Sequence, residues 1–205
     1  MTGEPTPIGW ILRASASEFV AGCRLLEPQV PRFGDLVKAP VRDVHIFGLI
    51  YDVQVQDDLS VRQMILAGGL EPEAVLDQRE NRLVPIELSV LVVGYQHGQK
   101  IVHGLPPQPP LSLDILIPCT DTDLRAFTGR LDYLHLILNA AHLPVDELLV
   151  VHLQQAARSR AAETRRPFLV QAGRELARLL TDQVTRLDSI LRRLGEVAQE
   201  SQEAW

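Results

Sequence analysis

The two lysines of the chain, Lys38 and Lys100, are the first residues to test for phosphate chemistry. A phosphate-binding loop needs a glycine-rich turn, then lysine, then serine or threonine, because backbone N–H groups hold the phosphates and the hydroxyl binds Mg²⁺. Ala39 and Ile101 follow the two lysines, so neither completes such a loop. We therefore expect no ATP hydrolysis and no nucleotide cofactor.

Histidines are the next candidates, because a cluster of them could bind a metal ion. His135 and His142 are seven residues apart and near one helical face, and His152 could add a third ligand. The usual zinc spacings are absent, and a tetrahedral site needs four ligands. We expect ordinary surface or half-buried histidines and no metal site. The other histidines are His45, His97 and His103.

Nucleophilic and paired-acid chemistry has equally little support. Cys23 and Cys119 have no neighbouring base or activating signature, so both are predicted to be small buried or boundary thiols. The acidic pairs Asp57/Asp58 and Glu71/Glu73 have a spacing typical of solvated turns, and sequence distance alone does not identify catalytic acids. We therefore predict a protein that is not an enzyme.

Arginine is the one residue type whose distribution suggests binding. Every basic residue after position 157 is an arginine, and acidic residues then follow at Glu196, Glu200 and Glu203. The arginines could contact DNA phosphates, or they could pair with acidic residues on a solvated helix face, which is the interpretation we favour. The candidates for nucleic-acid contact are Arg158, Arg160, Arg165, Arg166, Arg174 and Arg178.

These arginines lie in a region, residues 120–200, whose composition predicts α-helices. Thr120, Asp121 or Thr122 can cap a helix that extends to Leu138 and is weakened at Gly129. Pro144 marks a turn before a second helix, and Pro167 is predicted to start the final one.

The final helix, roughly residues 167–199, carries apolar residues at spacings of three and four, close to a heptad. A helix of about 30 residues would extend about 45 Å, which is longer than a small barrel is wide. We therefore expect part of its apolar seam to contact another helix or another chain. The predicted interface residues are Leu176, Leu180, Val184, Leu187, Leu191 and Leu194.

The region before it, residues 6–118, has the short apolar runs and turn residues typical of β-strands. The predicted strands begin at Ile8, Glu18, Leu36, Val44, Pro85 and Leu113, with a bulge or bend at Gly48. Residues 60–67 are predicted to be helical, and residues 106–110 form a proline-rich linker. Short strands at this spacing favour a closed or nearly closed barrel. The sequence thus predicts an α+β protein with a small antiparallel β-barrel followed by helices.

Three stretches of this region, in order and texture, resemble the HAS-barrel, the domain shared by HerA helicases and the catalytic subunits of rotary ATP synthases. They are Ile8-Gly9-Trp10-Ile11 to Phe19, Phe33-Gly34-Asp35 to Ile50, and Val90 to Tyr95 leading into Pro106–Pro110. In that family the barrels pack as a collar above a RecA-like motor, and in HerA they help dock the nuclease NurA. Here about 85 residues predicted to be helical stand in place of the motor.

The resemblance implies a role in assembly. We expect a non-catalytic accessory or adaptor subunit that docks on a HerA-like ATPase or NurA-like nuclease in DNA processing, with homo-oligomer formation possible. The alternative is a DNA-binding module that uses the arginine-rich helices. The sequence begins without a signal-peptide pattern and has no long apolar run, so we expect a cytoplasmic protein with reduced thiols and no membrane contact.

Overall fold

A computed structural model describes residues 6–25, 31–56, 62, 63, 66 and 84–200, with side chains except at positions 24, 25, 84 and 196–200. The described chain forms a six-stranded antiparallel β-barrel followed by five helices, which confirms the α+β prediction. The helix predicted for residues 60–67 and the acidic pairs Asp57/Asp58 and Glu71/Glu73 lie largely or wholly outside the described residues.

Seven strands are described, all in antiparallel pairs. They are β1 (Gly9–Ala14), β2 (Glu18–Leu25), β3 (Leu36–Val41), β4 (Val44–Val55), β5 (Val84–His97), β6 (Lys100–Val102) and β7 (Ile115–Pro118). The order β2-β1-β7-β3-β4-β5 closes on itself because β2 also pairs with β5. Strand β6, which the sequence did not predict, pairs with the last three residues of β5. The strand predicted from Leu113 begins two residues later, at Ile115.

Closure requires sharp bending of the long strand β4. Its register against β5 shifts between Phe47 and Gly48 and again between Ile50 and Asp52, which confirms the bulge predicted at Gly48. A Cβ atom at Gly48 would lie 2.4 Å from Cγ1 of Val90, so a residue without a side chain is needed for this close approach.

The strands that face the helices are buried on both sides. In β5, Val90 and Val92 point into the barrel, whereas Leu91 and Val93 pack against the helices. This explains why the sequence there is a continuous apolar run rather than an alternating one. The barrel interior is filled by Ile11, Phe19, Ala21, Cys23, Val37, Ala39, Val41, Ile46, Ile50, Ile86, Leu88, Val90, Val92 and Leu116.

The helices differ from the prediction in where they break. They are α1 (Asp121–Phe127), α2 (Leu134–Leu138), α3 (Val145–Arg158), α4 (Ala162–Leu179) and α5 (Val184–Glu200). Thr120 caps α1 with the reciprocal hydrogen bonds of a capping box. The helix predicted to continue to Leu138 instead stops near Gly129, the residue expected to weaken it.

The prediction of one helix over residues 167–199 is wrong. The chain turns at residues 180–183, where the Thr181 hydroxyl donates to the carbonyl of Arg178 and so satisfies a group at the end of α4. Folding back buries the apolar seam on both helices within the chain, which one straight helix could not do. Pro167 lies inside α4 rather than at its start; its missing N–H removes one helical bond, while the neighbouring Phe168 and Leu169 are buried.

Gly34 sets the distance between the barrel and α3. It adopts φ +84°, a left-handed conformation, and a Cβ atom there would lie 2.6 Å from Cγ1 of Val151 on α3. Valine is branched at Cβ and has little rotamer freedom in a helix, so it cannot move aside cheaply. The turn before β3 therefore needs glycine for both its backbone and its contact.

We expect Gly34→Ala to lower the free energy of unfolding by about 2–4 kcal/mol, from left-handed strain plus overpacking. The matched control is Gly98→Ala, because Gly98 also has a positive φ, +57°, but no atom within 4 Å of a Cβ. The free energy of unfolding of Gly98→Ala should fall by only about 1–2 kcal/mol, from the left-handed strain alone. Urea unfolding measures both, and equal losses would show that the contact with Val151 is unimportant.

Candidate partner-binding surface

The barrel carries an exposed apolar patch formed by Trp10, Leu12, Leu111 and Leu113. Trp10 and Leu12 alternate with buried Gly9 and Ile11 along β1, and both are about half exposed. Leu111 and Leu113 lie in the turn before β7 and are more exposed still, with Leu113 at 79%. Large apolar side chains grouped in this way on a barrel wall are typical of a docking surface.

Hydrogen bonds hold the turn against β1. The Leu113 N–H donates to the carbonyl of Ile11 at 2.9 Å, and the Ile11 N–H donates to the carbonyl of Asp114 at 2.8 Å. The Ser112 hydroxyl donates to the carbonyl of Leu12 at 3.0 Å. Two turn residues thus stand opposite one strand residue, the pattern of a β-bulge whose first position is normally glycine. The backbone segments that carry Trp10 and Leu12 and those that carry Leu111 and Leu113 are therefore held beside each other.

Leu113 occupies that glycine position with φ +75°. A left-handed backbone costs a residue with a Cβ about 1–2 kcal/mol, and here the exposed side chain gains no burial in return. Strain that persists without a packing benefit is a feature of binding and active sites. The sequence analysis did not identify this residue; the signal was leucine at the third position of the turn Leu111-Ser112-Leu113-Asp114, where glycine would be expected.

The predicted leucine seam is mostly internal. Leu176, Leu180 and Leu194 are buried within the chain's own core, and Leu187 packs against that core. These three residues are covered within the chain because the turn at residues 180–183 lets α4 and α5 cover each other, and they present no exposed surface to a partner. For the exposed pair, Val184 at 70% and Leu191 at 37%, the partner interface stays a prediction.

Two of the residues predicted to contact nucleic acid, Arg160 and Arg165, bond to a helix end. The guanidinium groups of Arg160 and Arg165 donate to carbonyls of residues 156–160, and Arg125 reaches the carbonyl of Ser159. All three meet the C-terminal end of α3, where the helix dipole favours positive charge. We call Arg125, Arg160 and Arg165 the arginine cap.

The other predicted contacts are spread along the chain. Arg178 forms an ion pair with Glu175 at 2.6 Å, which agrees with the favoured interpretation of paired charges. Arg158, Arg166 and Arg174 are exposed, and their predicted contact with nucleic acid stays a prediction.

A buried aromatic and histidine cluster joins the barrel to the helices. Phe127 of α1 packs between Phe47 of β4 and Tyr133, with ring centroids 4.9 and 5.0 Å apart. The Tyr133 hydroxyl lies 2.9 Å from Nε2 of His152, which is fully buried in α3. Burial lowers the pKa of His152 to about 4, so the ring is neutral at pH 7 and Nε2 accepts a hydrogen bond from the Tyr133 hydroxyl.

A partly buried ion pair fixes α1 onto β3. Nζ of Lys38 lies 2.9 Å from each carboxylate oxygen of Asp123. Burial alone would raise the pKa of Asp123, but the Thr120 backbone N–H and the Lys38 ammonium outweigh it and hold that pKa below its ordinary value. Lys38, excluded above from phosphate binding, therefore has a structural role.

The remaining histidine and cysteine candidates lie apart from one another in the described ranges. His135 bonds to the carbonyl of Asp132 and His142 to Glu18, so these two histidines and buried His152 have separate environments. Among the side chains that are described, no group of three His, Cys, Asp or Glu residues could hold a metal ion. Cys23 and Cys119 are free, and burial raises the pKa of both thiols, that of Cys23 to about 11.

Comparisons with known proteins identify no relative. A scan against protein-family models finds no match, and a search of curated proteins finds none either. None of the helices described here is long and apolar enough to cross a membrane. The described residues show a six-stranded antiparallel β-barrel followed by helices, and no family is identified.

Replacing Leu113 with glycine should remove strain. Relief of the left-handed strain should stabilise the folded state by about 1–2 kcal/mol. Glycine also gives the unfolded chain more conformational freedom, which offsets about 0.5–1 kcal/mol of that gain. We therefore expect Leu113→Gly to be as stable as wild type or up to about 1 kcal/mol more stable. Leu111→Gly in the same turn is the control and should lose stability. Urea unfolding compares them, and equal destabilisation by both would contradict the strain at Leu113.

Acid should weaken the fold through His152. The folded pKa of about 4 lies below the unfolded value of about 6.5, so the unfolded chain binds more protons between these values. The stability that the lowered pKa of His152 contributes to the fold is complete above pH 6.5 and is lost as the pH falls towards 4. We expect wild type to lose about 2–3 kcal/mol more than His152→Gln between pH 7 and 4.5.

Urea unfolding at the two pH values measures this difference. Exposed His45 is the control, and His45→Gln should keep the wild-type pH dependence. If His152→Gln lost as much free energy of unfolding between pH 7 and 4.5 as wild type does, burial of His152 would not be the cause of the acid sensitivity.

Proposed function

We propose that this protein is a non-catalytic accessory subunit whose barrel docks on a partner protein through the patch of Trp10, Leu12, Leu111 and Leu113. The observation that carries the proposal is Leu113, a large apolar side chain that is 79% exposed on a strained backbone. A partner that covers it would supply the burial that the isolated chain lacks. Tryptophan is among the residues that contribute most to protein interfaces, and Trp10 lies in the same patch.

The partner class comes from the barrel. A small six-stranded antiparallel barrel agrees with the resemblance of residues 6–118 to the HAS-barrel, in which barrels act in assembly and partner contact. We infer a HerA-like ATPase or a NurA-like nuclease as the partner, in DNA processing. In this proposal the partner performs the catalysis, and this chain positions the partner.

The patch is suited to docking because its backbone is fixed before binding. Hydrogen bonds from Leu113 and Ser112 to β1 hold the turn, so little conformational freedom remains to be lost when a partner binds. The cost is carried in the free protein as left-handed strain at Leu113.

Direct binding to purified HerA-like ATPase and NurA-like nuclease tests the proposal. We expect wild type to bind at least one of them and Trp10→Ala to bind at least ten-fold more weakly, which corresponds to about 1.4 kcal/mol. Leu113→Gly should also lose affinity while keeping its stability, which separates binding from folding.

The control is Val55→Thr, which removes an exposed apolar side chain at the far end of β4 and should bind like wild type. Wild-type affinity in both patch variants would overturn the docking surface. Failure of wild type to bind either protein would overturn the assignment of the partner.

A further inference from the structure

Five arginines from three helices and their connections follow one surface of the helical layer. They are Arg125, Arg130, Arg160, Arg174 and Arg178, and we call them the arginine band. Arg125 lies on α1 and Arg130 just after it, Arg160 follows α3, and the last two lie on α4. The sequence singled out only Arg160, Arg174 and Arg178 for contact with nucleic acid, because the other two are distant along the chain.

Contacts between the ends of α1 and α3 form the first part of the arginine band. The Arg160 guanidinium donates to the Thr128 hydroxyl at 2.7 Å, and Arg125 donates to the carbonyl of Ser159. The two arginine charges act on each other, because burial is the largest cause of the lowered pKa of Arg160 and the charge of Arg125 lowers that pKa as well. Both arginines remain protonated at neutral pH.

The second part of the arginine band is a recess between α4 and the segment that follows α1. Arg130, Arg174 and Arg178 all line this recess. The guanidinium carbon of Arg160 lies 3.7 Å from the ring centre of Phe168 on the same helix α4. The arginine band therefore follows α4 from position 168 to position 178, a length of about 15 Å at 1.5 Å per residue.

Acidic side chains compensate only part of this positive charge. Arg130 pairs with Asp132 at 2.6 Å, and Arg178 pairs with Glu175 at 2.6 Å. Arg174 forms no ion pair within the described part of the chain. The contacts described for Arg125 and Arg160 are with carbonyl and hydroxyl oxygens, which leave the guanidinium charge in place. Ion pairs thus neutralise two of the five arginines, in a chain whose formal net charge is -6.

The chemistry of the arginine band fits phosphate on a duplex. A planar guanidinium donates two parallel hydrogen bonds to a phosphate. A protein interface has an apolar centre, and single-stranded nucleic acid is bound by stacking on exposed aromatic rings. The aromatic rings beside the arginine band, Phe127 and Phe168, are buried and supply neither. A duplex carries one phosphate charge per 1.7 Å of its axis, so a length of about 15 Å presents about nine of them.

We propose that the arginine band binds the phosphate backbone of a DNA duplex without reading its sequence. This site lies on the helical layer, whereas the docking patch proposed above lies on the barrel, so the two sites use different elements of the fold. Only the choice of DNA over RNA rests on the proposed function. A partner that acts on DNA would then be held beside its substrate by the same subunit.

Fluorescence anisotropy of a labelled DNA duplex of about 20 base pairs, mixed with the full chain alone, tests the proposal. Three uncompensated charges predict that affinity falls about 40-fold between 50 and 200 mM NaCl, a slope of about -2.7 in log K against log[NaCl]. Arg130→Gln with Arg174→Gln should weaken binding at least ten-fold at 50 mM NaCl and make the slope shallower by about 1–2. Both side chains are exposed, so the melting temperature should not change.

The matched control is Arg13→Gln with Arg42→Gln, which makes the same change in net charge at exposed positions of the barrel and should bind like wild type. An equal loss of affinity in this control would overturn the proposal, because overall charge would then explain the binding. Wild type that does not bind at 50 mM NaCl would overturn it as well. The mixture contains no partner protein, so either failure leaves the docking patch on the barrel unaffected.

Competition identifies the occupant. We expect unlabelled duplex DNA to displace the probe better than the matching single strand, the matching RNA duplex or poly-L-glutamate. Tighter binding of the single strand or of the RNA would overturn the assignment to duplex DNA. Equal displacement by poly-L-glutamate at the same charge concentration would overturn the nucleic-acid assignment, since an acidic protein segment would then fit the surface as well.

Discussion

The stack of Phe47, Phe127 and Tyr133 is the contact on which the two layers of this protein depend. Phe127 ends the first helix after the barrel and packs on Phe47 of β4 at 4.9 Å. Its ring also lies over Gly94 of β5, where a Cβ atom would come within 2.9 Å. The helices are therefore held against the outer face of β4 and β5, and the inner face of the same strands fills the barrel.

Polar groups at this junction fix the orientation of the barrel and the helices. The Tyr133 hydroxyl and Nε2 of His152 satisfy each other in a fully buried position, whereas Nδ1 of His152 is buried without a hydrogen-bond partner among the described residues. Lys38 and Asp123 satisfy each other at the edge of the core. The arginine cap extends the principle to a helix end, because its guanidinium groups satisfy carbonyls that α3 cannot satisfy itself.

The sequence predicted most of the barrel because its strands carry strong local signals. The β-branched run of β4 and a bulge or bend at Gly48 were both predicted, and Thr120 was one of the three residues proposed as the cap of α1. The turn after Leu179 was missed because the apolar spacing continues through it, and a helical hairpin and a straight helix have the same periodicity. Leu113 was missed because its importance comes from its backbone angle and exposure, which residue type alone does not reveal.

The longest connection in the barrel joins two strands that are already paired at its ends. Val55 stands opposite Ile86, and the N–H of Gln56 donates to the carbonyl of Pro85 at 2.9 Å. The ladder of β4 and β5 therefore holds residues 56 and 85 beside each other. Two chain positions held this close have the spacing of the termini of a compact domain, which is the geometry that a domain insertion requires.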